Sequence, residues 1–267
     1  MNLNSLNKNY NVIANEFGAS RDNLHWPLLD LFFEQIKDLK NPRILDLGCG
    51  SGRFYEYLLK KSQELHWSFE YLGIDQSVEL VKLAQEKYGQ IVIPGQAPLG
   101  VQNPESHKLN PYPNLFKVLD WQNLEQLETE SFDAVISLAV FHHLEKSKQS
   151  EALQKLAKVL KNDGRLCLTV WNLWNYHRHK NWWSFVKDRL FLSADKFFSK
   201  YQFHKKDLQT WQDTLMLWRN KTPLFYYNFR KNELKKLAET IGFSDIICQY
   251  ENNSWRQANN LYLIAKK

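Results

Sequence analysis

The residues best suited to chemistry lie between Ile44 and Gly52, where the chain reads ILDLGCGSG. A short aliphatic run stops at Gly48, Gly50 and Gly52. Glycines at that density let a backbone turn tightly and come close to a ligand, and a helix that starts just beyond aims its first N–H groups at it. Dinucleotide-binding turns are similar but place their third glycine five residues after the first. Here Arg53 holds that place, and the last glycine comes one residue earlier. Asp46, two residues before Gly48, sets an anion beside the turn, where it suits a cationic group and repels a pyrophosphate.

Two further acids repeat the arrangement. Asp75 ends the run FEYLGID, 23 residues after Gly52, and is followed by Gln76. A carboxylate at that place can accept hydrogen bonds from both hydroxyls of a ribose; its alternative role is to cap the next helix. Asp120-Trp121 closes the run FKVLD. The carboxylate can accept from the exocyclic amine of an adenine while its neighbour packs on the base; its alternative is a plain turn residue. Three acids at the C-terminal ends of three strands fall on the edge where open α/β sheets bind ligands. On the same edge the run FDAVISLAV, which includes Leu138, leads into His142 and His143. Either histidine can orient a reacting group or act as a base, or can cap a strand end. Trp171 ends the next strand and can stack on a base or simply fill the core.

These residues need a framework, and the pattern supplies one. Residues 10–40 carry two helical faces: Tyr10, Ile13, Ala14 and Phe17, then Trp26 to Ile36. Strands are expected at Arg43–Leu47, Phe69–Asp75, Phe116–Asp120, Phe132–Ala139 and Arg165–Trp171. Helices are expected at about Arg53–Lys61, from Ser77 as N-cap to Tyr88, and at about Gln149–Leu160, ending at the C-cap signal KNDG. Alternation of this kind predicts a doubly wound, mostly parallel seven-stranded sheet, completed by a helix at 231–241 and an antiparallel hairpin near 244–251 and 259–266. The reading is one domain over 1–267, with an N-terminal helical cap at 1–40, a long loop at 90–114 and a helical, basic and aromatic insertion at 172–222. That insertion holds ten Lys or Arg against four Asp, an excess equal to the whole chain's net charge of +6. Trp174, Trp182, Trp183, Trp211 and Trp218 are interleaved with them. Lys205 and Lys206 within it can neutralise phosphates while the aromatics stack on unpaired bases; a helical cap with solvated lysines is the plainer reading.

In order, LDLGCGSG, GIDQS, VLDW, FDAVISLAVFHHL and LKNDGRLCLTVW resemble the class I S-adenosylmethionine (SAM)-dependent methyltransferases over residues 43–171. The resemblance implies SAM as cofactor, its methionyl part near Asp46 and the glycine turn, ribose at Asp75 and Gln76, and adenine at Asp120 and Trp121, with Leu138 and Tyr10 also against it. Shorter matches are similar to the tRNA wobble-uridine carboxymethyl methyltransferases: Tyr10 to Phe17 followed by Ser20-Arg21 and Trp26-Pro27, then SLAVFHH at 137–143, VWN at 170–172 and FYYNFRKNEL at 225–234. That family esterifies a carboxymethyl group in the anticodon and acts with a small activator protein. Ser20 stands where it usually has Thr, and Phe225 replaces the start of its late tyrosine motif.

Methyl transfer from a sulfonium is an in-line displacement governed by positioning. A carboxylate acceptor is ionised at neutral pH and needs no base, only a cationic fork to orient it. Arg21 and Arg230, in the family-like segments, are the candidates. Other readings are methylation of a small carboxylate or quinone-like ring, and a scaffold subunit with the fold but no catalysis. Cys49, Cys167 and Cys248 are far apart and form no CxxC pair, so no metal site is expected. No signal peptide or membrane span is seen, which with reduced cysteines makes a cytoplasmic location the expectation.

Overall fold

The structure is a computed structural model that describes residues 10–19, 26–89, 115–173, 210, 212–218, 222–251 and 259–267. The sheet order is β3-β2-β1-β4-β5-β9-β8. Its strands are β1 (Arg43–Leu47), β2 (Glu70–Asp75), β3 (Phe116–Val118), β4 (Phe132–Leu138), β5 (Leu160–Trp171), β8 (Ser244–Tyr250) and β9 (Asn260–Lys266). The first five are parallel; β9 runs antiparallel between β5 and β8, so the C-terminal pair forms the edge expected of it. The chain builds outward from β1 to β3 and then crosses back to β4. The crevice beyond the C-terminal ends of β1 and β4 is therefore the switch point at which such sheets bind ligands.

Alternation along the strands divides the core into two layers. Ile44, Ala134 and Ile136 face α2 (Pro27–Phe33), α3 (Arg53–Leu65) and α4 (Val78–Tyr88). Leu45, Leu47 and Val135 face α5 (Lys146–Val159) and α6 (Lys231–Ile241). Strands buried on both faces read as nearly continuous apolar runs, as β1 and β4 do. Helix α1 (Tyr10–Ala19) packs against α4 and is pinned there, where Ser77 Oγ donates to Asn11 Oδ1 at 2.7 Å. Ser77 is also the N-cap of α4, its hydroxyl accepting from Leu80 N. That leaves Asp75 out of the capping role.

Several boundaries differ from the sequence reading. β3 stops at Val118 because Asp120 caps a 3₁₀ turn, Trp121–Gln126. α5 ends at Val159, and Leu160 already pairs with Phe132, so β5 starts well before Arg165. The left-handed residue in the KNDG turn is Asp163, at φ 66°, and not Gly164.

Within the insertion expected to be helical, residues 213–218 instead form a strand, β6 (Asp213–Trp218), paired antiparallel with β7 (Thr222–Tyr227). The aromatic run 225–227 suits a pleated, half-buried surface better than a helix. Its alternation places Phe225 and Tyr227 in the main core and Leu224 and Tyr226 in a small cluster with Ile13 and Leu173. Most of 172–222 and all of 90–114 lie outside the described residues.

Candidate SAM and acceptor site

A cavity opens at the switch point, lined by the glycine turn, by the ends of β1, β2 and β4, and by Tyr10 of α1. Gly48, Gly50 and Gly52 all have positive φ, at 76°, 55° and 86°. Two of them are also close approaches. A Cβ on Gly48 would lie 2.2 Å from Val140 Cγ2, and one on Gly52 2.7 Å from the Tyr88 ring. A Cβ on Gly50 would meet nothing within 4 Å, so that side of the turn is open. The turn is tied to β2 by Gly48 N and Cys49 N, both donating to Ile74 O, and by Gly50 N, donating to Asp75 Oδ2 at 3.0 Å.

Asp46 is 1% exposed. Tyr71 donates to its Oδ2 at 2.6 Å, while its Oδ1 is buried with no hydrogen-bond partner. Burial, with Asp75 adding and the Tyr71 bond and Arg53 opposing, pushes its carboxyl up to about 7. A buried carboxylate oxygen on a cavity wall with nothing to bond is a place for a cation, and the ammonium of a methionyl group fits it. Asp75 is pushed up to about 6, again chiefly by burial, with the N–H groups of Ser77 and Gly50 opposing. Its two oxygens each accept one backbone bond and keep lone pairs for more. Asp120, whose Oδ1 accepts from Gln122 N at 3.0 Å, lines the same cavity with Gln76 and Trp121. The cavity wall thus carries three acids, from β1, from the end of β2 and from the turn after β3.

The opposite end is aromatic. Trp171 lies parallel to Tyr226 at 5.2 Å, and His142 stacks on Tyr226 at 5.3 Å. His143 Nδ1 lies 2.7 Å from Phe225 O. A carbonyl can only accept, so Nδ1 carries the proton and Nε2 the lone pair. Tyr10 OH, 2.8 Å from Nε2, is therefore the donor. Burial pulls His143 down to about 4, with the Phe225 bond opposing; the ring is neutral and both nitrogens are engaged.

Of the site residues read from sequence, the cavity wall gathers Tyr10, Asp46, Gly48, Gly50, Asp75, Gln76, Asp120, Trp121, Leu138, His143 and Trp171. Gly52 stands just behind the wall, against Tyr88 and Phe116. His142 is fully buried behind the wall, its Nδ1 accepting from Trp171 N at 3.1 Å and its ring beside those of His143, Trp171 and Tyr226. Arg230 is exposed at the N-cap of α6 and is not on the cavity wall. Arg21, Lys205 and Lys206 lie outside the described residues, and Phe17 falls in α1 without a described side chain.

Sequence reasoning missed Arg53, Ala139 and Val140 on the wall. Ala139 has φ 58°, with its N–H shared between Thr169 O and Oγ1 at 3.1 and 2.8 Å. A non-glycine held left-handed beside a ligand cavity is a common mark of a functional turn. Its only trace in the sequence is a small residue between the apolar run and the histidine pair. Among the described residues there is no cluster that could hold a metal ion, and no helix is long and apolar enough to cross a membrane.

The comparisons with known proteins agree with this geometry. A family model described as a methyltransferase domain matches residues 45–168. The tRNA (carboxymethyluridine(34)-5-O)-methyltransferase of Arabidopsis thaliana is 31% identical over 163 residues, 61% of this chain, which spans about a third (31%) of that relative's length. The protein of the same name from Schizosaccharomyces pombe is 23% identical over 97% of this chain and 94% of its own. Among solved structures, the Haloferax volcanii putative methyltransferase in complex with its Trm112 activator has a TM-score of 0.57. It is 14% identical, covering 98% of this chain and 96% of that one. The family match thus covers the strands that build the cavity at the switch point of the seven-stranded sheet, and residues 45–168 are similar to a methyltransferase domain.

Proposed function

We propose that this chain methylates a carboxymethyl group on the wobble uridine of tRNA, forming a methyl ester. The observation that carries the acceptor class is His143. It is the imidazole on the cavity wall, it is neutral, and its lone pair already accepts from Tyr10. Among the described residues, the cavity wall offers no imidazole with a lone pair left for deprotonating an amine or a hydroxyl. A carboxylate does not need one, because it arrives ionised. The names of the two tRNA relatives support the same acceptor, and the likeness to one of them runs along almost the whole chain.

SAM, when bound, supplies a sulfonium methyl group. Asp46 holds the ammonium of its methionyl part, Asp75 and Gln76 the ribose, and Asp120 with Trp121 the adenine. Tyr10, His143, Leu138 and Trp171 shape the far end, where the uridine base lies against Trp171. Tyr10 and His143 keep their shared proton and fix the direction from which the nucleophile approaches, so their part is positioning. His142 acts through Trp171 by holding its backbone N–H. Arg21 is the cationic fork for the carboxylate, and Lys205 and Lys206 take phosphates of the anticodon arm. A small activator protein belongs to the same reading, supported by a methyltransferase of like fold whose solved structure contains one.

The test is transfer of a labelled methyl group from SAM to total tRNA, followed by nucleoside analysis and brief mild alkali. The expected product is a uridine whose label is released by alkali, formed at a rate nearly flat between about pH 6 and 8. Alkali-stable label with a rising pH limb would overturn the ester assignment. Transfer to small carboxylates but not to tRNA would move the substrate to the small-molecule class.

A further inference from the structure

Asp120 and Trp121 stand at the start of the 3₁₀ turn Trp121–Gln126, and that turn is weakly built in itself. It kinks at Asn123, whose φ of −108° and ψ of 23° are not helical, and the hydrogen bonds of such short turns have poor geometry. A side chain from another element closes it. Lys155, near the C-terminal end of α5, donates from Nζ to Gln122 O and, at 3.2 Å, to Glu125 Oε2. The same ammonium lies 5.8 Å from the centroid of the Trp121 ring, within cation–π range, and 3.6 Å from Glu151 Oε1 one helical turn back. The Lys155 side chain is 23% exposed, so these contacts are screened less than those of an open surface pair. Lys155 is not among the described residues that line the cavity; it acts from behind the wall.

Gln122 joins this clamp to the ligand site. Its carbonyl accepts from Lys155, while its N–H donates to Asp120 Oδ1 at 3.0 Å. Asp120 lines the cavity and keeps its other oxygen for a donor there. We propose that Lys155 is a positioning residue for the adenine end of the site. By fixing Gln122 and the Trp121 ring together, it holds the Asp120 carboxylate and the indole in one arrangement, which accepts an exocyclic amine and disfavours a base with a carbonyl in that place. A carboxylate anchored by one N–H of a loose turn could swing with the turn; with Gln122 held from both sides the turn cannot follow. Lysine suits this place because a compact charge with three donors serves a carbonyl, a carboxylate and a ring face at once.

The inference rests on adenine lying between Asp120 and Trp121, and the test separates the two. Calorimetry on the full chain would compare S-adenosylhomocysteine with S-inosylhomocysteine, in which a carbonyl replaces the exocyclic amine. Wild type is expected to bind the adenine ligand about tenfold or more tightly, because the carbonyl would face a carboxylate with no donor between them. Lys155→Met keeps an apolar stem against Trp121 and removes the charge and its donors. It is expected to cut the preference to about threefold or less, chiefly by weakening the adenine ligand. Lys155→Arg, which restores the charge, is expected to recover most of it. A role in stability alone would weaken both ligands by the same factor. That result, or the full preference in Lys155→Met, would overturn the proposal and leave the adenine placement standing. Equal affinity of wild type for the two ligands would remove the adenine placement, and the proposal with it.

Discussion

Asp46→Asn should make the unliganded protein more stable while weakening its hold on SAM. In the wild type the carboxyl is pushed from 3.8 to about 7. At 1.36 kcal/mol per unit, keeping Asp46 ionised costs the fold on the order of 4 kcal/mol. The sign follows from proton counting. Between about pH 4 and 7 the native state holds a proton that the unfolded chain has released, so stability is greatest below pH 4 and is lost as pH rises through 7. Asparagine removes that loss. Its oxygen can still accept from Tyr71, but its amide then faces the cavity without an acceptor, at roughly 1–3 kcal/mol. The net gain near pH 8 is about 1–3 kcal/mol. Urea unfolding of both proteins at several pH values from 5 to 8 measures it. The advantage of the variant should grow steadily with pH, while its affinity for S-adenosylhomocysteine falls tenfold or more. A difference that stays flat from pH 5 to 8 would refute the account of Asp46 as a buried anion waiting for a cation.

Two further outcomes follow from the same geometry. Gly48→Ala should cost about 2–4 kcal/mol, because a left-handed backbone and a Cβ 2.2 Å from Val140 Cγ2 act together. Gly50→Ala, with nothing within 4 Å, should cost only about 1–2 kcal/mol yet reduce S-adenosylhomocysteine binding, and equal stability losses in denaturant would contradict this. Tyr10→Phe removes the hydrogen bond that ties α1 to His143 and leaves those of Asn11 with Ser77 and Glu79. Amide exchange in residues 10–19 should quicken by about fivefold, for a bond of about 1 kcal/mol, with the sheet unchanged. Unaltered exchange there would show that the His143 bond does not hold the helix.

The parts of the site that were legible in the sequence are those in which chemistry and backbone demand coincide over a few residues. Gly48, Gly50 and Gly52 are needed by positive φ as much as by the ligand, and Asp46, Asp75 and Asp120 each end an apolar run. The parts that were not legible depend on contacts between distant segments. Tyr10 reaches His143 across 133 positions, and Trp171, Tyr226 and His142 stack only because β7 folds back over the end of β5. Nothing in the run LFYYNF says that it will pair with residues 213–218, and its aromatics are equally good filling for a helical cap. Arg53 was visible only as a missing glycine, because its place over the Trp26 ring joins distant segments. Arg230 shows the converse, a motif position that lies exposed at a helix start and off the cavity wall.

The orientation of the cofactor is the claim on which the rest stands, and a crystal structure of the chain with S-adenosylhomocysteine tests it most directly. The account predicts adenine between Asp120 and Trp121, the ribose hydroxyls on Asp75, the ammonium at Asp46 Oδ1, and the sulfur turned toward Tyr10, His143 and Trp171. A ligand lying the other way round, with its amino-acid end at Asp75 and Asp120, or one bound away from the glycine turn, would contradict it.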